Sequence, residues 1–263
     1  MSLSPLPDGR QLGVDVGGTF TDLVTWDGAA NATGKVSSTA DQSEGVVAGA
    51  TALTGGSASR FLHGTTVATN ALLERKGARV ALVTTEGFTD VLEIGRQDRP
   101  SLYDTTVERP APLVAAEDRT GVSRNGDGFD GTVSPEAAAV AISLLYGYEH
   151  SSEEEHIAAE IQSRRGPLAI SLSSRVAPEF REFERTSTTV LNAYLMPEVA
   201  RYLQNLVRRS ADAGLPADIA VMRSSGGLMS APAAAALPAS ILLSGPAGGV
   251  VAAAALGTAH GKS

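Results

Sequence analysis

The chain has 263 residues, of which 43% are hydrophobic and 19% charged, enough apolar material for one or two globular domains. The formal net charge of −8 argues against a broad surface for nucleic acid or anionic membrane, and the absence of cysteine excludes disulfides, thiolate zinc sites and thiol catalysis. No apolar run reaches the roughly 18–20 residues of a membrane span. The first eight residues lack the basic and apolar regions of a signal peptide, so we expect a cytoplasmic protein.

Short apolar runs alternate with helical patterns along the first third of the chain. The sequence predicts strands at 12–16, 23–26, 35–39, 60–63 and 80–84, and helices at 43–53, 67–76 and 89–94. Ser43 is the expected N-cap of the first helix, and Gly77 is the expected stop signal of the second.

The middle of the chain is less regular. Three prolines, a turn-rich run at 125–128 and few periodic apolar residues predict a loop or small insertion over 97–131. Beyond it, the sequence predicts strands at 137–146, 168–172 and 219–222, and helices at 152–163, 180–209 and 245–256. Ser152 is an expected N-cap, and Pro197 is expected to interrupt the long helix. Strands that alternate with helices predict an α/β fold with a mixed sheet.

A glycine-rich turn between the first two predicted strands is the first candidate site. Its polar and turn residues are, in order, Asp15, Gly17, Gly18, Thr19, Thr21 and Asp22. Glycines let backbone N–H groups turn toward an anion, hydroxyls add donors, and a carboxylate beside them can hold hydrated Mg²⁺ or orient a water. A plain β-hairpin turn is the alternative, but a carboxylate inside a buried strand needs a partner. The segment therefore predicts a phosphate site.

Two further segments combine a predicted helix start with polar groups. His63 and Thr66 stand where a strand gives way to a helix, and free N–H groups, hydroxyls and an imidazole suit an anion or an amide carbonyl. An N-capped helix with a hydrogen-bonded histidine is the alternative there. Ser244, Gly245 and Gly248 precede or open an alanine-rich helix, where the glycines serve either an anion or close packing.

Taken together, these segments resemble the hydantoinase A/5-oxoprolinase family, within the actin, hexokinase and Hsp70 ATPase superfamily. The resemblance is carried by residues 13–22, 63–70, 84–88 with 93–97, 174–194 and 244–249, in the order that the family has. It implies an α/β fold, a mixed-sheet RNase H-like (actin-like ATPase) lobe. It also implies a hydantoinase/oxoprolinase N-terminal domain over 10–190 and the beginning of a hydantoinase A domain over 191–263.

The function that the resemblance implies is ATP-dependent opening of a hydantoin or lactam ring, with ATP and Mg²⁺ as cofactors. By that resemblance Asp15, His63 and Thr66 would be catalytic, with Asp15 also the metal ligand. Phosphate contacts would come from Gly17, Gly18, Thr19, Thr21, Asp22, Ser244, Gly245 and Gly248. A hydantoinase B-type subunit is the implied partner, with neither nucleic acid nor membrane involved. The alternatives are a subunit of an ATP-dependent acetone or acetophenone carboxylase and a non-catalytic binding or assembly module.

Members of the family are longer and carry a second motif of the Asp-x-Gly-Gly-Thr type beyond the alanine-rich helix. The resemblance therefore predicts that these residues form the N-terminal part of a larger two-lobed protein and are catalytically silent by themselves, because phosphoryl transfer needs both faces of the nucleotide to be held. Apolar residues of the helix near 250–256 would then be exposed and would favour self-association.

Overall fold

A computed structural model describes residues 9–39, 41–97, 100–104, 106–123, 129 and 131–261 of the chain. The strands are β1 (Gln11–Val16), β2 (Phe20–Trp26), β3 (Asn31–Ser37), β4 (Arg60–Thr65), β5 (Val80–Thr85), β6 (Arg119–Val122), β7 (Ala139–Ser143), β8 (Ala169–Leu172), β9 (Ile219–Met222) and β10 (Leu228–Ser230). The helices are α1 (Gln42–Thr54), α2 (Val67–Leu73), α3 (Val91–Ile94), α4 (Ser151–Arg165), α5 (Ser173–Val176), α6 (Glu182–Asp212), α7 (Ala231–Ala236) and α8 (Ser244–Ala259).

The chain forms two compact units. The first unit combines the residues up to Lys76 with those from Glu198 onward, and the second unit is Gly77–Pro197. The first unit is assembled from two separate stretches of chain, whereas the predicted domains are consecutive and meet at residue 190. The two divisions therefore describe different things. That boundary stays a prediction.

The first unit is built on a six-stranded mixed sheet in the order β10-β9-β4-β1-β2-β3. Strand β2 is antiparallel to both of its neighbours, β1 and β3, whereas β1, β4 and β9 run parallel. Alternation along β1 sends Leu12, Val14 and Val16 into the core, where α1 packs against β1, β2 and β3. The opposite face of the sheet carries the exposed side chains of Asp15 and Asp22.

Helix α1 begins one residue earlier than predicted, and its N-cap is Asp41 rather than Ser43. The Asp41 carboxylate accepts a hydrogen bond from the backbone N–H of Ser43 at 3.1 Å, and the Ser43 hydroxyl donates to the same oxygen. A carboxylate two residues before the buried Ser43 satisfies the free donors of the first turn. Ser43 is therefore buried inside the first turn and does not cap the helix.

Helix α2 ends at Leu73, before the predicted stop at Gly77. Gly77 has a different role, because a Cβ placed there would lie 2.1 Å from the ring of Tyr194. The glycine lets the chain pass against a buried aromatic ring of the second unit.

The second unit contains a four-stranded parallel sheet in the order β6-β5-β7-β8. Helix α4 packs on β7 and β8 through Ile157 and Ile161, which belong to an apolar core with residues of β5 and β7. Strand β6 falls inside the segment 97–131, so the prediction of a loop or insertion there is wrong for residues 119–122. The turn-rich run at 125–128 lies outside the described residues.

Two further predictions about helices, the N-cap of α4 and the interruption of α6, differ from the structure. Helix α4 begins at Ser151 after His150, so Ser152 is not its N-cap. Helix α6 runs from Glu182 to Asp212 with Pro197 inside it, so the expected interruption does not occur. Proline removes one backbone donor but its fixed φ is compatible with helix, and the flanking turns continue the helix past it.

Within the part of the chain that the structure describes, no helix is both long and apolar enough to cross a membrane.

Candidate functional site

The turn that joins β1 to β2 has most of its backbone acceptors engaged by the protein. We call residues 17–19 the glycine turn. The carbonyl of Val16 accepts from both the N–H and the hydroxyl of Thr66, each at 3.0 Å. Ser38 donates its hydroxyl to the Gly17 carbonyl and its N–H to the Thr19 carbonyl, each at 2.9 Å. Two side chains from different elements therefore fix this turn.

The donors of the glycine turn are disposed differently. The N–H of Gly17 closes the turn on the Phe20 carbonyl at 2.9 Å, while the N–H groups of Gly18 and Thr19 have no acceptor among the described residues. Both residues are exposed. Adjacent N–H groups without partners in an exposed turn are available to bind an anion.

Asp15 lies on the exposed face of the sheet, which corrects the expectation of a buried carboxylate. Strand alternation explains the difference, because Val14 and Val16 take the buried positions on either side of it. Asp15 pairs across the strands with Asp22, and Lys35 Nζ lies 2.9 Å from the carboxylate of Asp22. The lysine offsets the repulsion between neighbouring like charges and leaves Asp15 as the carboxylate without a cation beside it in the described ion pairs.

The position of the Asp15 carboxylate depends on the absence of a side chain on β4. Gly64 is the register partner of Asp15, and a Cβ at that position would lie 2.8 Å from Asp15 Oδ1. Sequence reasoning did not single out Gly64. The signal that could have found it is a glycine inside a predicted strand, directly after His63. Glycine at such a position often marks a place where another group approaches the backbone closely.

Thr21 cannot serve as the predicted phosphate contact in this arrangement. Its side chain is 1% exposed, in the core beneath β2, while Phe20 and Asp22 point to the other face. The two-residue period of the strand separates Thr21 from its exposed neighbours.

His63 is enclosed by the core, which corrects the expectation that it contacts a substrate directly. It is 1% exposed, and its Nε2 lies 2.9 Å from the hydroxyl of Tyr202. Burial lowers the pKa of His63 to about 4, and an interaction with the backbone of Val14 only partly opposes this. Burial likewise raises the pKa of Tyr202, so a neutral imidazole and a neutral phenol form the pair.

The start of α8 adds a second group of polar atoms. Ser244 is 2% exposed, and its hydroxyl has no hydrogen-bond partner among the described residues. Leu243, just before the helix, has a left-handed backbone with φ 55°, and no acidic residue lies in the first turn. Ser244, Gly245 and Gly248 line a groove of about 1040 Å³ together with Asp15 and Gly64. We call it the apolar groove.

A second cavity, of about 870 Å³, lies within the same unit. Gly18 and Thr19 of the glycine turn are part of its wall, and Asn70 and Tyr202 line it from α2 and α6. We call it the polar cavity. Asn70 donates to the Thr66 hydroxyl at 3.3 Å, so it supports the group that fixes the glycine turn. The structure thus separates the predicted residues, with Gly18 and Thr19 at the polar cavity and Asp15 at the apolar groove.

The described residues contain no group of three or more His, Asp or Glu that could ligate a metal ion. Magnesium does not require one, because it is commonly bound through one or two carboxylates while keeping several waters and taking phosphate oxygens. The exposed carboxylate of Asp15 fits that kind of binding, although Asp15 lines the apolar groove whereas Gly18 and Thr19 line the polar cavity. Sequence reasoning missed Ser38 and Tyr202, whereas Asn70 closes the segment 63–70 that was singled out.

Family models match nearly the whole chain. The hydantoinase/oxoprolinase N-terminal region matches residues 11–165, and hydantoinase/oxoprolinase matches residues 185–263. The chain is 36% identical to 5-oxoprolinase 1 of Arabidopsis thaliana over 63% of its length, and 31% identical to caprolactamase subunit alpha of Pseudomonas jessenii over 83%. These matches span 16% and 36% of the two relatives.

A solved structure extends the comparison to the fold. The nucleotide-free structure of acetone carboxylase, an enzyme of ATP-dependent acetone carboxylation, superposes with a TM-score of 0.78 at 25% identity. The match covers 96% of this chain and 41% of that one.

Proposed function

The chain belongs to the hydantoinase/oxoprolinase family and has the actin-like ATPase fold, and from that premise we propose that it is part of an enzyme that hydrolyses a cyclic amide at the expense of ATP. The observation that carries the proposal is the glycine turn, whose N–H groups at Gly18 and Thr19 have no acceptor among the described residues, while Ser38 binds its carbonyls and Thr66 binds the carbonyl of Val16 just before it. Such a turn is suited to the phosphate groups of a nucleotide.

The reaction begins with transfer of the terminal phosphoryl group to the amide oxygen of the ring. A bond forms between that oxygen and phosphorus, and the bond from phosphorus to the leaving ADP oxygen breaks. Amide resonance is thereby removed, so a first water adds to the ring carbon and the C–N bond breaks, with a proton passing to the ring nitrogen and an acyl phosphate left on the carbon. A second water hydrolyses the acyl phosphate to the carboxylate and inorganic phosphate. Phosphoryl transfer depends mainly on positioning and charge neutralisation, which is what a fixed turn with two donors supplies.

In this proposal each residue of the site has a separate role. Gly18 and Thr19 donate their N–H groups to phosphate oxygens, and Asp15 holds a hydrated Mg²⁺. The ion would neutralise charge on the transferred phosphoryl group. Ser244, Gly245 and Gly248 remain candidate anion contacts at the start of α8, supported by the unpartnered hydroxyl of Ser244. His63 acts through the core and positions the end of β4.

The test is lactam-stimulated ATP hydrolysis by the complete enzyme that contains these residues, assayed together with its partner subunit. Asp15→Asn is expected to lower turnover at least ~100-fold, because the metal loses its carboxylate. Gly18→Val is expected to weaken nucleotide binding per folded molecule beyond its effect on stability. Asp218→Asn is the matched control, since Asp218 is exposed at the amino end of β9, which runs parallel to β1 with β4 between them. Near-normal activity of Asp15→Asn would refute the proposed role.

A second candidate function is a subunit of an ATP-dependent carboxylase, which the likeness to acetone carboxylase favours. Both candidates activate a carbonyl oxygen by phosphorylation, so the glycine turn serves either. Stimulation of ATP hydrolysis by a ketone with bicarbonate, and not by a lactam, identifies the carboxylase. For either function we propose a further subunit of the hydantoinase B type, in line with the name of caprolactamase subunit alpha.

A further inference from the structure

The charged residues that line the polar cavity are all paired. Asp41 is bound by Arg209, with Nη2 and Oδ2 2.8 Å apart, and Lys76 Nζ lies 2.6 Å from Glu74 Oε2. The fifth charged lining residue, Arg201, pairs with Glu198 along α6. The lining contains three acids and two bases, and Arg209, which is not part of the lining, pairs with Asp41, so these six charges cancel.

Neutral amide side chains stand between these pairs. Gln42, Asn70 and Asn205 all line the polar cavity. The Oε1 atom of Gln42 is buried and has no hydrogen-bond partner among the described residues. An acceptor in that state is stabilised by any ligand that brings an N–H group to it, because an unmet buried acceptor is costly.

The polar cavity also begins at the glycine turn, since Gly18 and Thr19 form part of its wall. A group that receives a phosphoryl from a nucleotide on that turn must lie within a few ångström of it. We propose that the polar cavity binds the phosphoryl acceptor, and that it selects an uncharged cyclic amide over one that carries a carboxylate. The ring N–H donates to Gln42 Oε1 once a rotation of that side chain turns the oxygen from its buried position into the cavity, and a carboxylate is disfavoured because both cations of the wall are already paired. This inference rests on the proposed function.

Binding measured without ATP tests the selectivity directly. We expect ε-caprolactam to bind the purified protein at least tenfold more tightly than 5-oxoproline in a ligand-observed NMR titration. Gln42→Met keeps the length of the side chain but removes the acceptor, and should weaken ε-caprolactam at least threefold. Gln204→Met is the matched control, because Gln204 is exposed on α6 outside the cavity wall. Thermal unfolding of each variant checks that the fold is retained.

A charge variant keeps the inference falsifiable if Gln42→Met does not fold. Glu198→Gln frees Arg201 from its partner and removes one negative charge from the wall, so 5-oxoproline should gain at least threefold in affinity. The inference is overturned if 5-oxoproline binds as tightly as ε-caprolactam, or if neither variant changes binding. Failure of the proposed function is a different result, namely no nucleotide binding and no ATP hydrolysis with any amide.

Discussion

The space above Gly64 decides where the Asp15 carboxylate lies. Because a Cβ there would come within 2.8 Å of Asp15 Oδ1, Gly64→Ala must displace the carboxylate. Because we propose that this carboxylate holds the metal, its displacement is expected to lower ATP turnover of the complete enzyme at least ~10-fold. The free energy of unfolding should change by less than about 1 kcal/mol, because the displaced group is exposed.

Steady-state kinetics with Mg·ATP measure this effect, and urea unfolding measures stability. Gly34→Ala on β3 is the control, since its Cβ would make only ordinary contacts, 3.7 Å from Leu53. Equal losses in both variants would mean that the Asp15 position is irrelevant to turnover.

Protonation of His63 makes the stability of the fold depend on pH. Its pKa is about 4 in the folded chain and ordinarily 6.5, so between these values the unfolded chain binds a proton that the folded chain does not. The free energy of unfolding therefore falls as pH falls from 6.5 to 4, by about 3 kcal/mol in total from this residue.

Urea unfolding at several pH values in that window measures the slope. His63→Gln should flatten it, whereas His150→Gln, which replaces an exposed histidine, should leave it unchanged. If His63→Gln has the slope of the parent, the histidine is not held neutral by the fold.

At the scale of elements, one buried carboxylate joins three segments of the second unit. Glu154 of α4 accepts from the N–H of Leu144 at 3.1 Å and from the N–H of Ser174 at 2.9 Å, and the Ser173 hydroxyl donates to it as well. The ends of β7 and β8 are thereby fixed to α4. Glu154 is one of the acids in the first turn of α4, where a solvated position is usual.

We expect Glu154→Gln to destabilise the fold by about 2–4 kcal/mol, since its amide nitrogen cannot accept from groups that remain buried. Glu155→Gln is the control, because its pair with Arg175 is exposed, and it should cost less than about 0.5 kcal/mol. Chemical unfolding compares the two variants. Similar values for both would show that the buried hydrogen bonds of Glu154 contribute little.

Arg185, on α6, is a second charged residue whose surroundings differ from what the local sequence predicts. The charges from Arg175 to Arg185 predict a solvated helix start, but Arg185 is 1% exposed and donates to the carbonyls of Leu144 and Glu179. The four hydroxyl residues that follow it, 186–189, include side chains that pack inside the unit. Thr186 and Thr189 are buried, and Thr186 lies 2.9 Å from the Ser143 hydroxyl on β7.

For the whole molecule, the outward face of α8 is the feature with a measurable consequence. Val250 is 70% exposed and Leu256 63% exposed. Apolar residues exposed on one helix favour association, so we expect the chain to form dimers or larger species as its concentration rises. Val250→Glu combined with Leu256→Glu should weaken association at least ~10-fold.

Sedimentation over a range of concentrations measures this association. Leu102→Glu is the control, because Leu102 is equally exposed but lies in the second unit. A parent chain that stays monomeric at every concentration would contradict the expectation.

The sequence alone determined the alternation of strands and helices, the α/β class and the family, all of which are now confirmed. These features are local: a two-residue period defines β1, a 3.6-residue period defines α6, and glycine with threonine marks the turn at 17–19. The candidate phosphate residues were also named from the sequence, although their roles stay predictions.

Only the tertiary structure decided which side of each strand is buried. It placed Asp15 on the open face and His63 in the core, and it brought Ser38 and Gln42 to the glycine turn and the polar cavity from separate parts of the chain. The period of a strand distinguishes its two faces but does not say which of them a helix will cover, because that depends on packing between residues distant in sequence.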